Sequence, residues 1–405
     1  MKKNCLVTIG LVIAFFSGFS QSSTDSSKYQ NRQLTFEEAN LVSSYYKQDG
    51  NNSAVTGGIG SEKLTDISNS FDLKFYRYDK HFRKHTWSFE LGIDHYTSAS
   101  SDMVDLKANS SASHADTRFY PSVNWTIENE KKGTTWGIGA AYSHEFDYAS
   151  YSLNLNFAAK TKNRNGEFSA RLQGFFDKVS QVLPTELIST IVTTTNASRG
   201  EEGHRYPTTS RNTADLSLSY SQVVNKRLQI MLLSDIVAQN GYLSLPFHRV
   251  YFKDGTVHQE NLPSNRLKFP VGIRANYFLG DRFILRAYYR FYKDDWGLTA
   301  HTASLEVPVK ITPFFSVSPF YRFYKQNAID YFAPYMQHTS NNQYYTSNYD
   351  LSTFNSNFFG AGIRLTPPKG LLGNEHFNML EIRFGHYAKN IGMNSNVISL
   401  NLKFK

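Results

Sequence analysis

Apolar and polar residues alternate along residues 267–293, and this alternation constrains the fold more than any other feature of the chain. Apolar residues occupy every second position on both sides of the short turn at residues 280–282. The apolar set is Leu267, Phe269, Val271, Ile273, Ala275, Tyr277, Phe283, Leu285, Ala287, Tyr289 and Phe291. Because successive side chains of a strand point to opposite faces, the pattern predicts a β-hairpin with one apolar face and one charged, hydrogen-bonding face.

Two architectures accommodate such a hairpin. In a soluble antiparallel sheet the apolar face packs inward and the polar face meets water. In a transmembrane barrel the apolar face contacts lipid and the polar face lines the lumen. The hairpin alone fits both, so the number and spacing of the other strands decide between them.

The rest of the chain favours the barrel. It contains about sixteen segments with strand periodicity, most of them roughly 9 to 12 residues long, the length that a tilted strand needs to cross a bilayer. The first, residues 41–47, is the weakest, and residues 33–39 before it are expected to form a helical turn. Every other connection is short, and the long connections are residues 49–65, 97–114, 177–212, 239–266 and 326–354. Short periplasmic turns opposite long external loops are typical of outer-membrane barrels, so we predict an all-β fold: a transmembrane antiparallel β-barrel with both termini periplasmic.

The start of the chain has the three parts of a secretory signal. Lys2 and Lys3 precede an apolar core at residues 6–16 that is too short to span about 30 Å of hydrocarbon. We therefore predict a cleaved signal peptide at 1–20, a periplasmic lead-in at 21–40 and an outer-membrane β-barrel at 41–405, in a Gram-negative bacterium. The single cysteine, Cys5, lies in the signal, which excludes disulfides and thiol catalysis from the mature chain.

The aromatic and charged residues agree with a membrane location. The chain has 26 Tyr and 31 Phe, a load that aromatic girdles at the two membrane interfaces would use. Trp87, Trp125 and Trp136 fall in the apolar register beside short turns, so we predict that they form a periplasmic aromatic girdle. The formal charge is +9, but the basic residues are spread along strands rather than clustered, and we predict no nucleic-acid partner.

The same register predicts which charged residues line the lumen. The predicted basic arc is Lys268, Arg274, Arg286, Arg290, Arg322, Arg364 and Arg383. The predicted acidic positions are Asp72, Glu90, Asp94, Glu306 and Glu381. The basic arc either favours the passage of anions through guanidinium contacts, or its arginines pair with luminal carboxylates and keep the interior wet.

No catalytic motif is present. The chain has no nucleophile elbow, P-loop, His-Glu-x-x-His or cysteine-based metal motif. We therefore predict no enzymatic activity, no metal site and no cofactor.

Several stretches resemble the motifs of a known family. They are residues 44–60 (SYYKQDGNNSAVTGGIG), 92–94 (GID) with 96–102 (YTSASSD), 120–121 (YP) and 359–365 (FGAGIRL). These stretches resemble an uncharacterised outer-membrane family, DUF3570, and the resemblance covers nearly the whole mature chain. It implies a barrel but no established activity. Many barrels end on an aromatic residue that the assembly machinery recognises, whereas here Phe404 is penultimate and Lys405 terminal.

The first two motifs fall at the predicted external end of the barrel. Their marked positions are Asp49, Gly50, Gly57, Gly58, Ser100, Ser101 and Asp102. These small and polar residues either fold the loops over the pore mouth or form a rim that binds a ligand or partner.

The function predicted from the sequence is a passive channel or export conduit for small polar solutes, with a preference for anions. The alternative is a plugged, non-conducting barrel that serves as a docking or structural subunit of an envelope complex. The expected partners are outer-membrane lipid, the barrel-assembly machinery during biogenesis and an envelope protein.

Overall fold

The computed structural model describes residues 33–98, 115–184, 187 and 206–405, and Leu34–Lys405 form one compact unit. The strands are β1 (Thr35–Asp49), β2 (Leu64–Tyr78), β3 (Lys84–Ser98), β4 (Ala115–Asn129), β5 (Thr134–His144), β6 (Tyr148–Lys160), β7 (Gly166–Ser180), β8 (Thr208–Asn225), β9 (Leu228–Gly241), β10 (Arg249–Tyr251), β11 (Val257–Gln259), β12 (Asn265–Leu279), β13 (Phe283–Asp294), β14 (Thr299–Glu306), β15 (Val309–Thr312), β16 (Phe315–Gln326), β17 (Phe354–Leu365), β18 (Phe377–Lys389) and β19 (Met393–Phe404). Short 3-10 helices occur at Ala54–Thr56 and Tyr349–Leu351. Within the described residues, no helix has the length and hydrophobicity to span a membrane. The predicted signal peptide lies outside the described residues, as does the lead-in up to residue 32.

All strands except β10 and β11 close into one antiparallel barrel. Consecutive strands pair with each other, β9 pairs with β12, and β19 pairs back with β1. The sheet has 17 strands, but β14 and β15 share one position between β13 and β16, which leaves 16 positions around the ring. Pro308 lies at the interruption between β14 and β15, where its missing N–H cannot contribute to the ladder. The prediction of an all-β antiparallel barrel with about sixteen strands is confirmed.

The outer surface of the barrel carries the apolar register. Val271, Leu153 and Leu172 are 52 %, 57 % and 52 % exposed, respectively. The residues that alternate with these apolar ones along each strand point inward. Arg383 on β18 reaches Glu306 on β14 across two intervening strands, and only the concave face of the barrel allows such a contact. A broad apolar outer face around a polar interior is the pattern of a barrel that sits in lipid.

The two ends of the barrel differ in their connections. One end has the turns 79–83, 130–133, 161–165, 226–227, 280–282, 313–314 and 366–376, together with the start of β1 and the end of β19. The other end has the connections 50–63, 99–114, 145–147, 181–207, 242–264, 295–298, 327–353 and 390–392. We assign the first end to the periplasm and the second to the exterior. Three external connections are short, so the long loops are confined to five of the eight external positions.

The helical turn expected at residues 33–39 is wrong. β1 begins at Thr35, ahead of the predicted barrel start at residue 41, and Ala39 is completely buried. The segment pairs with β2 from Thr35 onward, and Glu38 forms an ion pair with Lys74 at 2.7 Å. Pairing with a neighbouring strand therefore overrides the local helix preference of the glutamates and alanine. The weak first strand is real, and it closes the barrel.

Candidate functional site

Three arginines of the predicted basic arc form a continuous ion-pair network on the inner wall. Arg383 Nη1 lies 3.0 Å from Glu306 Oε1 and 3.1 Å from Glu381 Oε1. Arg364 Nη2 lies 2.6 Å from Glu381 Oε2, and Arg286 Nη1 lies 3.7 Å from Glu306 Oε2. Two carboxylates therefore balance most of the charge of three arginines, as expected of side chains that keep the wall polar.

The other four basic residues of the arc have no such compensation. Within the described residues, Lys268, Arg274, Arg290 and Arg322 form no ion pair. The Arg274 guanidinium lies 5.6 Å from the ring centre of Tyr288, and that of Arg322 lies 4.9 Å from Phe358. Stacking on an aromatic ring orients a guanidinium but leaves its charge in place. The uncompensated positive charge of the arc therefore belongs to these four residues.

Three predicted acidic residues lie on the far side of the lumen, on β2 and β3. Asp72 Oδ2 accepts a hydrogen bond from Asn40 Nδ2 (2.7 Å), and Glu90 Oε1 accepts one from Ser70 Oγ (3.1 Å). Asp94 accepts hydrogen bonds from the hydroxyls of Tyr120 and Ser68. The hydrogen-bond partners of all three carboxylates are neutral side chains.

Asp72, Glu90 and Asp94, which we call the acidic arc, face the basic arc across the lumen. β2 and β3 lie half a circumference away from β12 and β13, which carry Lys268, Arg274 and Arg290. Opposite walls of unlike charge create an electric field across the channel rather than along it. The sequence register placed these residues on one face but could not place the arcs opposite each other, because the position of a strand around the ring follows from closure.

The long external loops fold into the mouth of the barrel. Ala300, Tyr292 and Tyr324 point inward from their strands, and they pack against Leu262 of the 242–264 loop and Ile329 of the 327–353 loop. Trp296 and Leu298 join this cluster and are 3 % and 5 % exposed. An apolar core built between the inner wall and two loops holds those loops against the wall.

A third loop, residues 50–63, meets the 242–264 loop from the opposite side of the ring. Arg249 Nη1 donates a hydrogen bond of 2.7 Å to the carbonyl oxygen of Val55, and Arg249 is only 1 % exposed. We call residues 50–63, 242–264 and 327–353 the cap. The connections β1–β2 and β9–β12 are half a circumference apart, so this contact crosses the mouth.

Two motif glycines make the crossing possible. Gly57 and Gly58 have φ values of 80° and 86°, which residues with a Cβ rarely adopt. A Cβ on Gly57 would lie 2.5 Å from the ring of Tyr251, and one on Gly58 would lie 2.6 Å from the carbonyl oxygen of Ser347. The loop can approach its two neighbours this closely only because these positions are glycine.

A buried polar network joins two cap loops. Glu260 is 5 % exposed and accepts hydrogen bonds from the Leu245 amide (2.8 Å) and the Thr346 hydroxyl (2.5 Å). Burial alone would raise the pKa of Glu260, but the His248 ring and these two donors outweigh it and lower that pKa. His338 Nε2 lies 2.9 Å from the Thr346 carbonyl oxygen, and burial lowers the pKa of this histidine. Sequence reading missed these residues, since nothing in the loop pattern marks which of its polar groups become buried.

The remaining motif positions have mixed outcomes. Asp49 is the last residue of β1 rather than part of the loop, and Gly50 begins the β1–β2 connection. Ser100, Ser101 and Asp102 lie outside the described residues.

The predicted girdle tryptophans lie together beside the short turns. Trp87 and Trp125 are register partners on β3 and β4, and the His85 ring stacks on both, with centroid distances of 6.0 and 5.8 Å. Trp136 on β5 is 61 % exposed. Amphipathic rings in this position suit the membrane–water interface.

The comparisons with known proteins concern family and fold. A family model described as "Protein of unknown function (DUF3570)" matches residues 2–394. No curated protein matches the sequence.

Among solved structures, the ferric enterobactin receptor of Pseudomonas aeruginosa is similar over 87 % of this chain, with 10 % identity and a TM-score of 0.44. This chain covers 53 % of that receptor, about half its length. A BenF-like porin from Pseudomonas fluorescens Pf-5 is similar over 91 % of this chain and 98 % of its own, with 8 % identity and a TM-score of 0.43. OccK7 of Pseudomonas aeruginosa has 10 % identity over 92 % of this chain and 98 % of its own, with a TM-score of 0.36.

Proposed function

The chain belongs to the DUF3570 family, and we propose that this member is an outer-membrane channel for small polar solutes whose cap closes the external mouth in the state described. The observation that carries this proposal is the charge-segregated inner wall beneath the cap. A barrel that served only as a rigid anchor would have no need of a lumen with opposed charges.

Two cavities, one at the basic arc and one at the acidic arc, support the proposal of a channel. A cavity of about 260 Å³ lies against Glu306, Arg322 and Arg383, and one of about 390 Å³ lies against Asp72 and Glu90. Each volume holds several water molecules, since a water occupies about 30 Å³ in the liquid. A polar solute moving through the lumen would keep hydrogen-bonding partners on both sides.

Selectivity follows from which charges are uncompensated. Arg274 and Arg290 form no ion pair within the described chain, whereas Arg364 and Arg383 share Glu381. We therefore assign the preference for anions to the unpaired residues of the arc rather than to the arc as a whole. Replacing Arg274 and Arg290 by alanine should shift the reversal potential in a salt gradient toward cation preference, and replacing both by lysine should leave its sign unchanged. An unshifted potential in the alanine variant would exclude Arg274 and Arg290 from any role in selectivity.

The structure of the cap also supports a second candidate function, a closed barrel that docks an envelope protein. Its buried apolar core and its contact across the mouth are also what a permanently closed docking barrel would have. In that case the outer surface of the cap would bind an envelope protein, and the lumen would conduct no solute.

Single-channel recording separates the two functions. The refolded mature chain is compared in planar bilayers with a cap-deleted variant, in which each of the three cap loops (residues 50–63, 242–264 and 327–353) is replaced by a short Gly/Ser turn. For a channel we expect rare or small openings in the native chain and large, ohmic steps in the variant. A folded cap-deleted barrel that still passes no current would refute the channel and favour the docking function.

A further inference from the structure

Three carboxylates meet at the external end of β4–β6, outside the lumen network and the cap. They are Asp116, near the start of β4, and Glu145 and Asp147, in the short β5–β6 connection. One carboxylate oxygen from each lies within 4.8 Å of the others. Like charges at this spacing repel each other strongly unless a cation or a proton lies between them.

The burial of the cluster makes it unlike an ordinary acidic surface. Asp116 and Asp147 are 7 % and 8 % exposed. Within the described residues, Asp147 accepts no hydrogen bond from another residue and has no ion pair. A carboxylate that is more than nine-tenths buried, has only its own backbone N–H as a donor and lies beside two other carboxylates needs a further partner.

The other two carboxylates are held in place. Asp116 accepts hydrogen bonds from the backbone N–H groups of Thr117 (2.6 Å) and Phe146 (3.1 Å). Glu145 accepts one from the Tyr96 hydroxyl. These hydrogen bonds hold Asp116 and Glu145 in place against the repulsion between like charges.

The nearby Arg118 does not supply the missing partner of Asp147. Burial raises the pKa of Glu145 despite the opposing charge of Arg118, whose Nε donates instead to Ser143 Oγ at 2.8 Å. Burial, followed by the charges of Glu145 and Asp116, raises the pKa of Asp147 to about 7.

We propose that Asp116, Glu145 and Asp147 form a calcium site that fastens the β5–β6 turn to the external end of β4. Calcium binds oxygen ligands at about 2.3–2.6 Å, so two ligands on opposite sides of the ion are about 4.6–5.2 Å apart. Oxygens within 4.8 Å of one another fit around that ion, with water completing its shell. Magnesium requires ligands at about 2.0–2.1 Å in near-octahedral geometry and releases water reluctantly, which makes it the poorer match.

Calorimetric titration of Ca²⁺ into the refolded full-length mature chain, in calcium-free detergent, tests the site. We expect one Ca²⁺ per chain, with a Kd of about 10⁻⁴–10⁻³ M as in other extracellular modules, and a higher Tm when calcium is present. Asp147→Asn should weaken binding by about tenfold or more. Asp254→Asn, at the exposed turn between β10 and β11, is the matched control and should bind as the native chain does.

Glu145→Gln provides a second variant if Asp147→Asn does not refold, and the heat-dependent gel mobility of each barrel shows that it is folded. The proposal is overturned if the folded native chain takes up no calcium, or if both cluster variants bind it unchanged. Equal affinity for Mg²⁺ would overturn the choice of calcium.

Discussion

Replacing Ile273 by arginine tests the lipid-facing register near the bilayer midplane, where a charged side chain on the lipid face is most destabilising. Ile273 lies near the middle of β12, is 41 % exposed, and has the outward-facing Leu232 and Tyr289 as register partners on its two sides. From Ile273 to the end of β12 is about 20 Å along the strand, or about 14 Å along the membrane normal at a tilt of about 45°. That distance is about half of the hydrocarbon thickness, and an arginine side chain is too short to bring its charge to the interface.

The expected cost is about 2–4 kcal/mol, the value for arginine near the midplane of a barrel's lipid face. This corresponds to a folding equilibrium about 30-fold to 1000-fold less favourable. Urea titration of the barrel in liposomes measures the free energy of unfolding, and gel mobility measures the folded yield. Arg274→Ala is the matched control, since it changes the adjacent inward residue and removes rather than adds a charge.

The result that would refute the register is a similar free-energy loss in both variants. A loss confined to Arg274→Ala would reverse the two faces of β12. Either outcome would also remove the structural basis for the basic arc.

Three further results are expected. Gly57→Ala should loosen the cap and raise the channel open probability, because its Cβ would meet the ring of Tyr251. Gly255 is the control: it has a similar φ of 84° but nothing within 4 Å of the added Cβ, so Gly255→Ala should leave gating unchanged. Equal effects of the two variants would assign the loss of cap stability to the unfavourable φ alone. Lowering the pH below about 6.5 should open the cap. Burial lowers the pKa of His338 in the closed cap, so on acidification the ring is protonated first in the open cap, and the stability that the closed cap has above about pH 6.5 is lost. Hydrogen exchange of residues 327–353 that does not change between pH 7.5 and 5 would contradict this. Glu381→Gln should strengthen anion preference, since it removes a carboxylate that two arginines share, and an unchanged reversal potential would show that the network does not face the conducting path.

Local periodicity predicted the barrel because a lipid-exposed strand must show its burial pattern in its own sequence. Ile273 and Arg274 could be assigned to opposite faces without knowledge of any neighbour. The start of β1 was misread for the converse reason. Residues 35–39 have a local helix preference, and only the pairing of Thr35 with Tyr76 on β2 shows that they form a strand.

The cap and the acidic cluster lay beyond sequence reasoning because they depend on contacts between distant segments. Val55 and Arg249 meet only because barrel closure brings their loops to one opening. Asp116 and Asp147 belong to different strand ends, and their spacing in sequence matches no metal motif, so no metal site was predicted. The short hairpin of β10 and β11 lies inside residues 239–266, which were predicted only as a long loop.

The contact between Arg249 and Val55 is a brace along one diameter of the barrel. One of its ends is attached to β9 and β12 and the other to β1 and β2, so the shape of the cross-section and the closure of the mouth are mechanically linked. Flattening the ring so that this diameter lengthens would pull the brace apart and uncover the lumen. Flattening it in the perpendicular direction would shorten the diameter and leave the brace in place. The mouth would therefore respond to the direction of a lateral force from the surrounding bilayer as well as to its strength.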